Sequence, residues 1–196
     1  MLRRPVYTSA GYTLTELMLV VGFIGAVAGI SVPAVASTIE EIRAAAAARH
    51  VAARIADLRI EAVRRSSTVG LRFDLQGADY AFTPFLDTNG NGLRAADVTN
   101  GFDVALGRTE RLDEHVADTG IGLLPGLPDL NGATGNTDGL RIGASSFLSM
   151  SPNGSCTGGT LYIHGRRSQF AVRVLGATGR VRLFRYDTGS RRWITQ

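Results

Sequence analysis

The sequence predicts an α+β fold: a long N-terminal helix, membrane-spanning and then amphipathic, followed by an antiparallel β-sheet domain. Three observations predict it. Residues 17–36 carry no charge and are mostly apolar, about the twenty residues a helix needs to span hydrocarbon. Apolar residues then recur at helical spacing as far as Ser66. Beyond that point the period drops to two, in short runs punctuated by glycine, as half-exposed strands require.

The first element begins at Gly11-Tyr12-Thr13-Leu14-Thr15-Glu16 and runs into Leu17-Met18-Leu19-Val20-Val21. Glu16 is the last charge before a long uncharged stretch. A carboxylate in an apolar segment is costly and needs a partner, so Glu16 is a functional clue. The run resembles the class III signal of type IV pilins and type II secretion pseudopilins. The resemblance implies that residues 1–11 are a leader, cut by a prepilin peptidase after Gly11. It implies N-methylation of the new terminus, Tyr12, where the family usually has Phe. It also implies that Glu16 meets a neighbouring subunit's terminal amine, and that Pro33 is the family's helix-bending proline. The alternative is an ordinary secretory signal, with Arg3 and Arg4 as its basic region and Ala34-Val35-Ala36 as its cleavage site. Glu16 and a helix that continues past Ala36 count against that.

Residues 12–36 form the transmembrane and assembly segment. Gly25 and Gly29 make a G-x-x-x-G pair, read either as a close-packing surface between helices or as glycine tolerated in a membrane. Arg3 and Arg4 precede the segment and Glu40 and Glu41 follow it, which places the N-terminus in the cytoplasm and the rest in the periplasm. Residues 37–66 continue the helix in amphipathic form, with Val51, Ile55, Leu58 and Ala62 on one face and Glu61–Arg65 as an i,i+4 pair.

Residues 67–196 form the β domain. Thr68–Phe73 and Tyr80–Phe85 alternate as strands, and Pro84 marks the second as an edge. Asn89-Gly90-Asn91-Gly92 is a turn. Phe102–Leu106 reads as a third strand. Residues 107–139 read as a long irregular excursion with at most short elements. Leu140–Ile142 and Phe147–Met150 resume strand character. Thr160–His164, Phe170–Leu175 and Arg180–Phe184 form a meander. Ser151-Pro152-Asn153-Gly154, Gly158-Gly159-Thr160-Leu161 and Gly179-Arg180-Val181-Arg182 are similar to the GspH/FimT branch of the pilin superfamily.

The chain of 196 residues has a net charge of +4, and all 21 of its basic residues are arginine. So small an excess does not imply a nucleic-acid partner. Cys156 is the only cysteine, which excludes an intrachain disulfide and a Cys-rich metal site. Asp87, Asn89, Asn91 and Gly92 match the first half of an EF-hand-type calcium loop, but position twelve is Val98, with Asp97 one place early. The same composition makes an Asx-rich turn without metal. No cofactor and no other metal site is expected. His50, His115 and His164 read as three separate contexts. Glu114-His115 and Ser155-Cys156 lack the partners a catalytic site needs, so the chain reads as non-enzymatic.

Residues 166–192 hold eight arginines and one acid, Asp187. Gly179-Arg180-Val181-Arg182 resembles the Gly-Arg-x-Arg motif that FimT-type pilins associate with DNA binding. Alternation puts Arg180 and Arg182 on one face, Arg173 joins them if its strand pairs in register, and Tyr186 or Trp193 offers stacking to a base. The plain alternative is a solvated strand face. The leading reading is a minor pseudopilin of a type II secretion pseudopilus. Its partners are other pseudopilins or pilins, prepilin peptidase, the inner membrane and secreted cargo. The runner-up is a FimT-like minor pilin that binds DNA for uptake.

Overall fold

A computed structural model describes residues 11–143 and 145–196, and of Pro33 and Ala34 the backbone alone. Residues 1–10, which hold Arg3 and Arg4 of the expected leader, lie outside the described residues. Helix α1 spans Leu14–Arg65, 52 residues, and its assignment runs through Pro33. It starts at Thr13, whose hydroxyl accepts the Glu16 N–H at 3.2 Å while its carbonyl accepts the Leu17 N–H at 3.1 Å, a helix N-cap. It ends where Ser66 turns to φ 51° and the Ser67 N–H donates to the Ala62 carbonyl at 3.2 Å. That bond belongs to a Schellman stop. The chain divides into two compact units, up to Ile39 and from Glu40.

In the first unit the apolar side chains stand exposed, from Leu17 and Met18 through Phe23 and Ile30 to Val35. The segment is long and apolar enough to cross a membrane.

The second unit has its own core. Ala44, Ala47, Ala48, Val51, Ile55, Leu58 and Ala62 are buried, one stripe at helical spacing. Four alanines in this stripe let the helix lie close to the sheets. Two sheets meet it. The first contains β1 (Val69–Gln76) and β2 (Asp79–Leu86), and follows α2 (Ala95–Thr99) with the two-residue strands β3 (Val104–Ala105) and β4 (Glu110–Arg111). After α3 (Leu112–His115) come β5 (Gly120–Ile121), β6 (Leu140–Ile142) and β7 (Phe147–Met150), then β8 (Gly159–His164), β9 (Gln169–Leu175), β10 (Arg180–Asp187) and β11 (Arg192–Thr195). The sheet orders are β3-β2-β1-β7, with β4 also on β2, and β11-β10-β9-β8-β5, with β6 also on β8. Leu71, Phe73, Phe82 and Leu148 from the first and Leu161, Ile163, Val172 and Val174 from the second pack with the helical stripe into one cluster. Each such side chain contributes roughly 1.5–3 kcal/mol of burial.

Three expectations are corrected. β2 is not an edge, because β1 pairs it on one side and β3 and β4 on the other. Pro84 fits because its carbonyl accepts the Leu106 N–H at 2.8 Å, so its missing N–H faces the gap between the two short strands rather than β1. The strand expected over Phe102–Leu106 shrinks to Val104–Ala105, since Phe102 and Asp103 donate their N–H groups to the Asp97 carbonyl and close off α2. β10 runs on to Asp187 and pairs with an unforeseen strand, β11. Residues 107–139 do hold only short elements.

Glu40 ties the start of the second unit's helix to the β8–β9 turn. Its carboxylate accepts the N–H groups of Arg167 and Ser168 at 3.0 and 3.1 Å and the Ser168 hydroxyl at 2.7 Å. Gly165 leaves the room, since a Cβ there would meet the Ala44 Cβ at 3.2 Å and the Glu40 carboxylate closer still. Partial burial pushes the Glu40 carboxyl up, but the turn's hydrogen bonds outweigh it and hold the group below its ordinary value of 4.5. A carboxyl depressed in the folded state stabilises above its unfolded value and loses that contribution as the pH falls through the folded one. Glu40→Gln is therefore expected to lower the stability of the domain at neutral pH by about 1 kcal/mol. It should also flatten the loss below about pH 4.5. Urea unfolding at stepped pH reads both, and parallel parent and variant curves would refute the role.

Candidate functional site

Glu16 stands in the first turn of α1, where the helix dipole favours an anion. Thr13 and Glu16 thus have capping-box spacing, a local use for Glu16 that sequence reading passed over. Tyr12 is 87% exposed, and the large apolar side chains that follow are exposed as well. Such a surface is stable in water only when lipid or protein covers it.

The C-terminal arginines divide by the pleat of β10. Arg182 lies directly opposite Arg173 of β9, and Arg180 shares their face two residues away. Arg180 and Arg182 are exposed, and among the described residues their side chains make no ion pair. Arg173 is half-buried and donates to Thr160 Oγ1 at 3.2 Å and Asn131 Oδ1 at 3.0 Å. Both partners are neutral, so its charge remains uncompensated. Arg166 pairs with Asp118, and Arg185, on the opposite face of β10, pairs with Glu41. Tyr186 and Trp193 are not open stacking platforms, which corrects the expectation. Tyr186 is buried and Trp193 packs edge-on against it, with ring centres 5.3 Å apart. Trp193 also donates to the Pro128 carbonyl at 3.1 Å and joins Leu123, Tyr162 and Ala171 in a second core. The excursion after β5 covers that half of the sheet.

Asp87 is buried and closes its loop by itself, accepting the Gly90 and Gly92 N–H groups, each at 2.8 Å. Asn89 Oδ1 accepts the Asn91 N–H at 3.2 Å. These are the contacts of an Asx-rich turn. Asp97 lies in α2, its Oδ2 buried and without a hydrogen-bond partner among the described residues.

The histidines are not three separate contexts. His50 of α1 and His115 of α3 stack with ring centres 4.3 Å apart, both beside Glu110 of β4. His115 Nε2 lies 3.0 Å and His50 Nε2 3.9 Å from Glu110 Oε2. Arg54 takes the other oxygen of Glu110. Burial and the neighbouring His115 ring push the His50 pKa down, against the pull of Glu110. No sequence signal foretold this meeting of two turns of helix with a loop far along the chain. His164 stands apart, with Nδ1 3.0 Å from the Gly165 carbonyl oxygen. Cys156 donates to the Leu175 carbonyl at 3.4 Å, and burial pushes its thiol up, away from nucleophilic use.

No family model matches the chain, and no solved structure does. Over 84 residues it is 36% identical to the pilin-like protein PilA1 of Thermus thermophilus, a stretch that covers 43% of this chain and 52% of that protein. The chain thus spans about half the length of the curated relative it matches, and along that stretch it is similar to a pilin-like protein.

Proposed function

We propose that the chain is a non-enzymatic assembly subunit of a pilus-like filament, a minor pseudopilin of the GspH/FimT kind. In this reading a prepilin peptidase removes residues 1–11 and leaves Tyr12 as the methylated terminus. Residues 12–36 hold the subunit in the inner membrane and later pack against other pilin helices, with Pro33 as the bend. The β domain faces the periplasm and meets partner pilins or cargo. One observation carries the proposal: an apolar helix with no cover of its own, bearing a single carboxylate at its head, joined to a domain whose cores are complete without it. Similarity to a pilin-like protein supports the same class. The test is entry of the chain into filaments and its dependence on Glu16.

A second reading, DNA capture for uptake, is favoured by the Arg173, Arg180 and Arg182 face. With the aromatic residues buried, phosphate contacts rather than stacking carry it. The domain from Glu40 on is expected to shift single- or double-stranded DNA at low salt, with affinity falling steeply as salt rises. Arg180→Ala/Arg182→Ala is expected to weaken binding about 10-fold or more, with the fold intact because surface changes of this kind cost within about 0.5 kcal/mol. An unchanged shift in the double variant, or none at low salt, leaves the secretion reading alone.

A further inference from the structure

The stacked histidines beside Glu110 have a use beyond filament assembly. We infer that His50 Nε2, His115 Nε2 and Glu110 Oε2 form a binding site for a zinc-class divalent transition metal. The three ligand atoms all lie within 4.8 Å of one another. Donors bound at about 2.0–2.2 Å to a tetrahedral ion stand roughly 3.4 Å apart. The two separations from Glu110 Oε2, 3.0 and 3.9 Å, bracket that value, so small side-chain rotations admit an ion. The donor set decides the class. Two imidazoles with one carboxylate suit zinc, nickel or copper, whereas calcium and magnesium take oxygen.

Two further observations point to an ion here. His50 Nε2 is buried and makes no hydrogen bond, and leaving a buried polar atom without a partner is costly. A metal ion would satisfy it through its lone pair. Glu110 is only 8% exposed, and Arg54 holds its Oε1, which turns Oε2 toward the imidazoles, where an ion would take the place of its 3.0 Å hydrogen bond with His115 Nε2. Arg54 acts as the outer partner that orients a ligating carboxylate. Its positive charge opposes a dication, but its side chain is 31% exposed and water screens much of that repulsion. The two histidine side chains are each a little over a quarter exposed, so the ion enters from solvent and finds a fourth position open to water.

The ligands come from α1, β4 and α3, so the ion staples the helix to the first part of the excursion. Stability then rises with free metal by mass action. The test uses the untagged full chain in detergent, stripped with a chelator and then titrated with zinc chloride, with calcium chloride in parallel. One zinc per chain is expected, bound in the micromolar range or tighter, with a rise in melting temperature that calcium does not produce. Cobalt(II) in the same site should give the intense visible bands of tetrahedral coordination. His115→Ala, whose side chain is partly exposed, is expected to weaken zinc binding at least 10-fold. Glu110→Gln tests the carboxylate, and circular dichroism of each metal-free variant confirms the fold. Substoichiometric zinc, an equal rise with calcium, or unchanged zinc affinity in a folded His115→Ala chain overturns the site.

Discussion

Glu16→Ala is expected to stop the chain from entering filaments while the domain from Glu40 on stays folded. Both cores of that domain are built from residues after Glu40, so Glu16 is a member of neither. In the proposed assembly the carboxylate lies among apolar helices and is paired with the Tyr12 amine of a neighbour. Removing one partner of a buried pair strands the other charge and costs about 3–5 kcal/mol, which lowers incorporation by roughly 100-fold or more. The capping-box spacing offers a competing explanation, in which Glu16 merely starts the helix. Thr13→Ala separates the two, because it removes the cap seen at 3.2 Å but keeps the carboxylate. It should cost about 1 kcal/mol of helix stability and leave assembly largely intact. The measurement is the amount of each variant in sheared filaments relative to the membrane fraction. Sequencing of the mature terminus controls for processing, with Tyr12 expected first. Normal incorporation of Glu16→Ala refutes the assembly role, and equal losses in the two variants reduce Glu16 to a helix residue.

What the sequence discloses depends on how local the cause is. The helical stripe Val51, Ile55, Leu58 and Ala62 was legible because spacing alone determines which side is buried, and all four are buried. The β8–β9–β10 meander was legible for the same reason, since alternation and glycine turns are short-range signals. β11 was not. Arg191-Arg192-Trp193 reads as a basic tail, and only pairing with Tyr186 and Asp187 makes it a strand. Pro84 misled because a missing N–H implies an edge only when no gap lies beside it. Trp193 reads as an open ring in the sequence because the excursion that covers it carries no periodic pattern. The His50, Glu110 and His115 cluster is the extreme case, since only tertiary packing brings the helix to that loop.

Gln169→Leu is expected to unfasten that excursion, and it is the largest stability loss we foresee from a single polar side chain. Gln169 is 1% exposed. Its Nε2 donates to the carbonyls of Gly122 and Ile163, each at 3.0 Å, and of Phe170 at 3.3 Å. Its Oε1 accepts the Leu124 N–H at 2.8 Å. One side chain therefore serves the backbone of β8 and β9 and that of the segment leaving β5. Leucine fills nearly the same volume but serves none of these groups. The Leu124 N–H and the Gly122 carbonyl then lose a partner, at about 1–3 kcal/mol for each group left dry. The expected cost is about 2–4 kcal/mol, which moves a urea midpoint by roughly 1–2 M for a domain of this size. The single tryptophan supplies a second readout. Trp193 is held by the Pro128 carbonyl and packed with Leu127 and Leu130, all in the segment that Gln169 fastens. Its emission should shift to the red at urea concentrations below global unfolding. A variant with the parent's midpoint and the parent's emission would show that the amide contributes nothing to holding the segment.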